Sequence, residues 1–284
     1  MEFKKASTLT ETIQNFNAHE PLDPENKEEW EAFYVDTKRD EIDRITENFC
    51  ANTQYKMLFG GHSGNGKSTE LNKLPVNDRT KERYSIIKFD VRNLLDLNDI
   101  ETADLFIVIF LKIVEFSDKN KIRTNSYFNK KLKEMAEFFR DELEIEEDSA
   151  LAVKSTVGIE AETSAKANIL LIKLAAKFYA KIRGQKETRE KIRKKYNPRL
   201  TDFTNLLNDF LADLRKYNQK EILIIVDGLD KTYPPAAQKL FVTGGQYFNM
   251  LKNASFLSFY NPCLFNTLSL CKSDRIRYRR NRNT

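Results

Sequence analysis

Apolar residues along this chain fall into two patterns. Short unbroken runs read as buried strands, and runs that repeat every three or four positions read as helices. Lys56 to Phe59, "KMLF", predicts a first strand. Tyr84 to Arg92, "YSIIKFDVR", is rich in β-branched and aromatic residues and predicts a second. Ile222 to Val226 are five apolar residues without alternation, which is how a strand covered on both faces of a parallel sheet reads. Ala254 to Asn261, "ASFLSFYN", predicts a fourth strand that Pro262 ends.

Helical spacing fills much of the rest. Asp23 and Pro24 offer an N-cap and a first helical position ahead of an acidic first turn. Ile42, Ile45 and Phe49 form an apolar stripe feeding the first strand, and Ser68 to Leu74 reads as a helix stopped by Pro75. Helical patterns cover about 99–117, 124–146, 167–183, 186–195 and 201–217. The last has Thr201 as N-cap and a stripe of Leu206, Leu207, Phe210, Leu211 and Leu214. Leu151 to Ala167 departs from helical spacing and favours an exposed strand or hairpin. Roughly 130 residues separate the second strand from the third, far more than one crossover helix needs, so a helical insertion over about 99–217 is expected. No internal repeat is visible.

The chain has 284 residues, 40% of them hydrophobic and 20 of them Phe, enough for a sizeable core. Cys50, Cys263 and Cys271 form no disulfide framework, and with His19 and His62 the only histidines there is little material for a zinc site. Thiols in a reducing, cytoplasmic setting are expected. The N-terminus has acids and no apolar segment of signal-peptide kind. The most apolar run, Leu105 to Leu111, is seven residues, against about twenty for a membrane span, so a buried helix is expected. The last 13 residues hold six basic residues and one acid, a balance of +5 equal to that of the whole chain. The body is therefore neutral, and no specific nucleic-acid partner is expected.

Four of nine glycines fall within seven residues, in "MLFGGHSGNGKSTEL". Gly61, His62, Ser63, Gly64, Asn65, Gly66, Lys67 and Ser68 fit G-x-x-x-x-G-K-[ST] at every fixed position, with Thr69 following. In that pattern loop amides and a helix N-terminus hold phosphates, the lysine reaches the β- and γ-phosphates, and the hydroxyl sits on Mg²⁺. A carboxylate must orient the ion or its water. Asp227, ending the most apolar strand, is the candidate, since ligands meet parallel sheets at the carboxyl ends of strands. Water activation needs a further group. Gly228 follows the magnesium Asp where many such ATPases carry Glu, which leaves Asp230 as the next carboxylate. Asn261, at the end of the following strand, is a candidate γ-phosphate contact. Lys67, Asp227, Asp230 and Asn261 thus form the expected catalytic set.

"GHSGNGKSTEL" together with "IIVDGLDK" resembles the P-loop ATPases of the AAA and STAND type, with D-G-L-D similar to the Walker B variant of NACHT-like members. Lys231 stands where that class usually has Glu. Arg39 and Glu41 resemble remnants of the aromatic-Gly-Arg-x-x-Glu segment near the adenine, and "ETREKIRKKYNPRLTDFTNLLNDFL" is similar to a stretch of prokaryotic AAA-like ATPases. The resemblance spans about residues 30–261. It implies an α/β three-layer core with a parallel sheet in the order 5-1-4-3-2, ATP with Mg²⁺, and a nucleotide-driven change of conformation or assembly with slow turnover, as in defence or signalling. A homo-oligomer or protein partner fits that picture. The expected division is an N-terminal helical segment at 1–30, the ATPase domain at 31–261 and a short basic tail at 262–284. In that division the fifth strand and the lid are expected to be missing, through truncation or through a short natural C-terminus with a basic tail. No proposed site residue lies in the tail, so its deletion is expected to leave nucleotide binding intact. Two other readings stand beside this one: a small-molecule phosphotransferase, and a nucleotide-binding module without turnover.

Overall fold

A computed structural model describes residues 7–15, 21–36, 41–61, 64–122, 130, 175, 177–260 and 277–280. Five strands form one sheet: β1 (Lys56–Gly60), β2 (Tyr84–Asp90), β3 (Glu221–Asp227), β4 (Ser255–Tyr260) and β5 (Arg277–Arg280). Their order is β2-β3-β4-β1-β5, and every neighbouring pair is parallel. Read from the other edge, this is the order 5-1-4-3-2.

β5 corrects an expectation. The fifth strand is not missing: four residues of the arginine-rich tail pair with β1, Leu58 opposite Tyr278. A run of arginines reads as a solvated tail, yet charged residues are what a sheet edge tolerates.

Side chains alternate along the central strands, so the sheet is covered on both faces. Leu58, Ile87, Phe89, Ile222, Ile224, Val226 and Phe256 face one core, shared with the helices Thr102–Lys119 and Leu200–Asn218. Met57, Phe59, Tyr84, Leu223, Ile225 and Leu257 face a second, smaller one, with Ile42, Ile45 and Phe49 of the helix Glu41–Ala51 and with Leu71 and Leu74. Leu105 to Leu111 are at most 1% exposed, which agrees with a buried helix rather than a span. Among the described residues no helix is long and apolar enough to cross a membrane.

The expected helices before β3 appear as Lys186–Tyr196 and Leu200–Asn218, and residues 177–184 are helical as well. Two caps differ from expectation. The helix Lys27–Phe33 is capped by Asn26, whose side chain accepts from the Glu29 N–H, rather than by Asp23. The helix at Leu200 starts after Arg199, which leaves Thr201 inside its first turn. The helix expected at 124–146 and the hairpin expected at 151–167 lie outside the described residues, apart from the helical residue 130.

Candidate functional site

Three segments meet at the carboxyl edge of the sheet. β1 ends at Gly60 and opens into the glycine loop, the helix Lys67–Asn72 follows at once, and β3 ends at Asp227. Gly64 and Gly66 have φ of 83° and 71°. A Cβ at either would meet nothing within 4 Å, so the dihedral rather than crowding calls for glycine. His62 and Ser63 lie outside the described residues, and Asn65 is exposed on the loop.

The loop and the third strand are joined side chain to side chain. Ser68 Oγ donates to Asp227 Oδ1 at 3.0 Å, across 159 positions of sequence. The Gly228 N–H donates to the same oxygen at 2.7 Å. Asp227 is 5% exposed. Burial pushes its carboxyl above the usual range, and the Ser68 and Gly228 hydrogen bonds oppose that shift.

Lys67 is also buried, and its ammonium reaches across the loop. Nζ donates to the Gly61 carbonyl at 2.9 Å and pairs with Asp230 Oδ2 at 2.9 Å. Asp230 sits on a single 3₁₀ turn, Leu229–Lys231, that begins at Gly228 with φ 87°. A Cβ on Gly228 would come within 2.7 Å of Asp90 Oδ1 and 2.8 Å of Arg92 Cγ, so a side chain there would have to displace those atoms and strain the backbone.

Two further residues at this edge carried no signal specific enough to assign them from sequence. Asp90 ends β2 in register with Asp227 of β3. Its carboxylate accepts from Arg92 Nε at 2.6 Å and from the Arg92 N–H at 2.8 Å, and pairs with Arg92 Nη2. Burial alone would raise its carboxyl, but the Arg92 bonds outweigh burial and hold it below the usual range. The one available clue was that "IIKFD" and "LIIVD" both end an apolar strand in Asp.

Thr69 meets the N-terminal segment: its Oγ1 accepts from the Leu22 N–H at 3.2 Å, and Asn72 Nδ2 donates to the Leu22 carbonyl at 2.7 Å. Asn261 and Arg39 lie outside the described residues, and Glu41 opens the helix Glu41–Ala51.

The donor set suits a magnesium ion held largely by water and phosphate. It offers a hydroxyl and a carboxylate already in contact, and the second carboxylate at this edge, Asp90 on the adjacent strand, is engaged by Arg92. Among the described residues no group of three or more His, Cys, Asp or Glu could hold an ion by itself. No family model, curated protein or solved structure matches this chain.

Proposed function

We propose that this chain is a P-loop ATPase of the AAA/STAND type that binds Mg-ATP and uses it as a conformational or assembly switch. The observation that carries the reading is the Ser68–Asp227 hydrogen bond. It joins the hydroxyl of a complete G-x-x-x-x-G-K-[ST] loop to the acid ending β3, the pair such a site uses for magnesium. The parallel order β2-β3-β4-β1-β5, with β4 between the loop strand and the acid strand, supports the additional-strand form of the core.

In this reading the loop amides around Gly64 and Gly66 wrap the phosphates, and Lys67 contacts the β- and γ-phosphates. Ser68 and Asp227 hold the ion, which neutralises charge on the phosphates when bound. Asp230, against Lys67, lies inside the phosphate region. A second reading, nucleotide binding without turnover, is favoured by Gly228. This position has no carboxylate, and one placed there would have to displace Asp90 and Arg92.

Replacing Asp227 with Asn tests the assignment. The variant should keep nucleotide binding within a few-fold while magnesium-dependent ATP hydrolysis falls by about a hundredfold, the scale of losing a group that acts mainly in the transition state. Equal metal dependence in variant and wild type would show that another group orients the ion. Absence of hydrolysis in the wild type would favour the second reading.

A further inference from the structure

We propose that Asp230 is an internal stand-in for a nucleotide phosphate, so that ATP binds by displacing its carboxylate from Lys67. The inference rests on the P-loop reading of the site and adds how the site is regulated. The Lys67 and Asp230 side chains are 5% and 9% exposed, so their ion pair is shielded from water and salt. The loop pattern assigns this same ammonium to phosphate oxygens. A carboxylate and a phosphate are both anions, and two anions beside one buried ammonium repel each other. That repulsion favours release of the carboxylate as phosphate binds.

The surroundings give Asp230 a second place to go. Arg92 packs where a Gly228 side chain would be, and the Asp230 charge already acts on its guanidinium. The turn that carries Asp230 is held by long hydrogen bonds, Lys231 N–H to the Gly228 carbonyl at 3.3 Å and Thr232 N–H to the Leu229 carbonyl at 3.2 Å. Gly228, at φ 87°, is the pivot at its start. Asp230 is thus paired with Lys67 and lies in the field of Arg92, whose guanidinium is paired with Asp90. Moving from Lys67 toward Arg92 would transmit nucleotide binding to the turn after β3. The turn is in turn tied to the segment after β2, through the Tyr233 N–H on the Leu97 carbonyl at 3.0 Å.

The test is calorimetric titration of a non-hydrolysable ATP analogue with Mg²⁺ into wild type and Asp230→Asn, with thermal unfolding of both proteins free of nucleotide. The amide keeps the shape and loses the charge. Binding should tighten about tenfold, while the free variant unfolds at a lower temperature because the ion pair is gone. A residue with only a structural role would lower stability without raising affinity. Binding that is unchanged or weaker in the variant, with normal binding by wild type, overturns the stand-in role and leaves the P-loop reading intact. No binding by either protein overturns both. Should Asp230→Asn fail to fold, Asp230→Ser replaces it under the same criteria.

Discussion

Lys56 opens β1 with its side chain buried, 5% exposed, and its ammonium donating to the carbonyls of Gln54, at 3.2 Å, and Ala254. Burial pushes this lysine down from 10.5 to about 7. Between those values the unfolded chain holds a proton that the folded chain gives up, so stability rises with pH through that window. Urea unfolding from pH 7 to 10 should show that rise, and Lys56→Met should flatten the difference. Parallel curves for the two proteins would contradict it. Sequence gave no hint of this burial, because a lysine at a strand start normally reaches solvent. The meeting of Ser68 with Asp227 was legible for the opposite reason: fixed spacing in a loop, and an acid ending a wholly apolar run, are local signals. The partnership of Lys67 with Asp230 was not legible. It joins residues 163 apart in number, and only the folded sheet brings them together.

At the scale of elements, the helix Lys186–Tyr196 is anchored by charge. Arg189 pairs with Asp96 at 3.1 Å and Asp99 at 3.2 Å, and Arg193 pairs with Asp99 at 3.0 Å and Asp104 at 2.6 Å. Asp104 closes the first turn of Thr102–Lys119, its Oδ2 accepting from the Glu101 N–H at 2.9 Å. Burial pushes the Asp104 carboxyl up while Arg193 opposes it. Removing one partner of such a pair leaves a buried charge alone, so Arg193→Ala should cost about 3–5 kcal/mol in chemical denaturation. Arg193→Met combined with Asp104→Leu should recover most of that loss. A small loss in the single variant would show that water reaches Asp104. The helix itself was readable from "KETREKIRKKY", but its buried arginines were not, since i and i+4 cations on a polar helix look solvated. The caps were misread for a related reason. Several Asx, Ser and Thr residues near a helix start all suit the role, and tertiary contacts decide among them.

At the scale of the molecule, the parallel sheet was legible because its four longer strands are apolar or β-branched and end in turn residues. β5 was not, because its cations hide a strand that lies beside β1. This revises the expectation for the tail. Deleting residues 272–284 removes β5 and bares the edge of the strand that leads into the glycine loop. The truncated chain should melt several degrees lower and aggregate as concentration rises, because an open edge is a template for pairing. Unchanged melting and solubility would show that β5 adds nothing to the sheet. The central claim, that the loop after β1 is a nucleotide site, is tested most directly by thermal unfolding of wild type and Lys67→Ala across a titration of Mg-ATP. At a hundred times the dissociation constant the wild type should gain about 2.7 kcal/mol, and Lys67→Ala should lose most of that gain. A wild-type protein whose unfolding is indifferent to Mg-ATP and Mg-ADP at millimolar concentration would contradict the account.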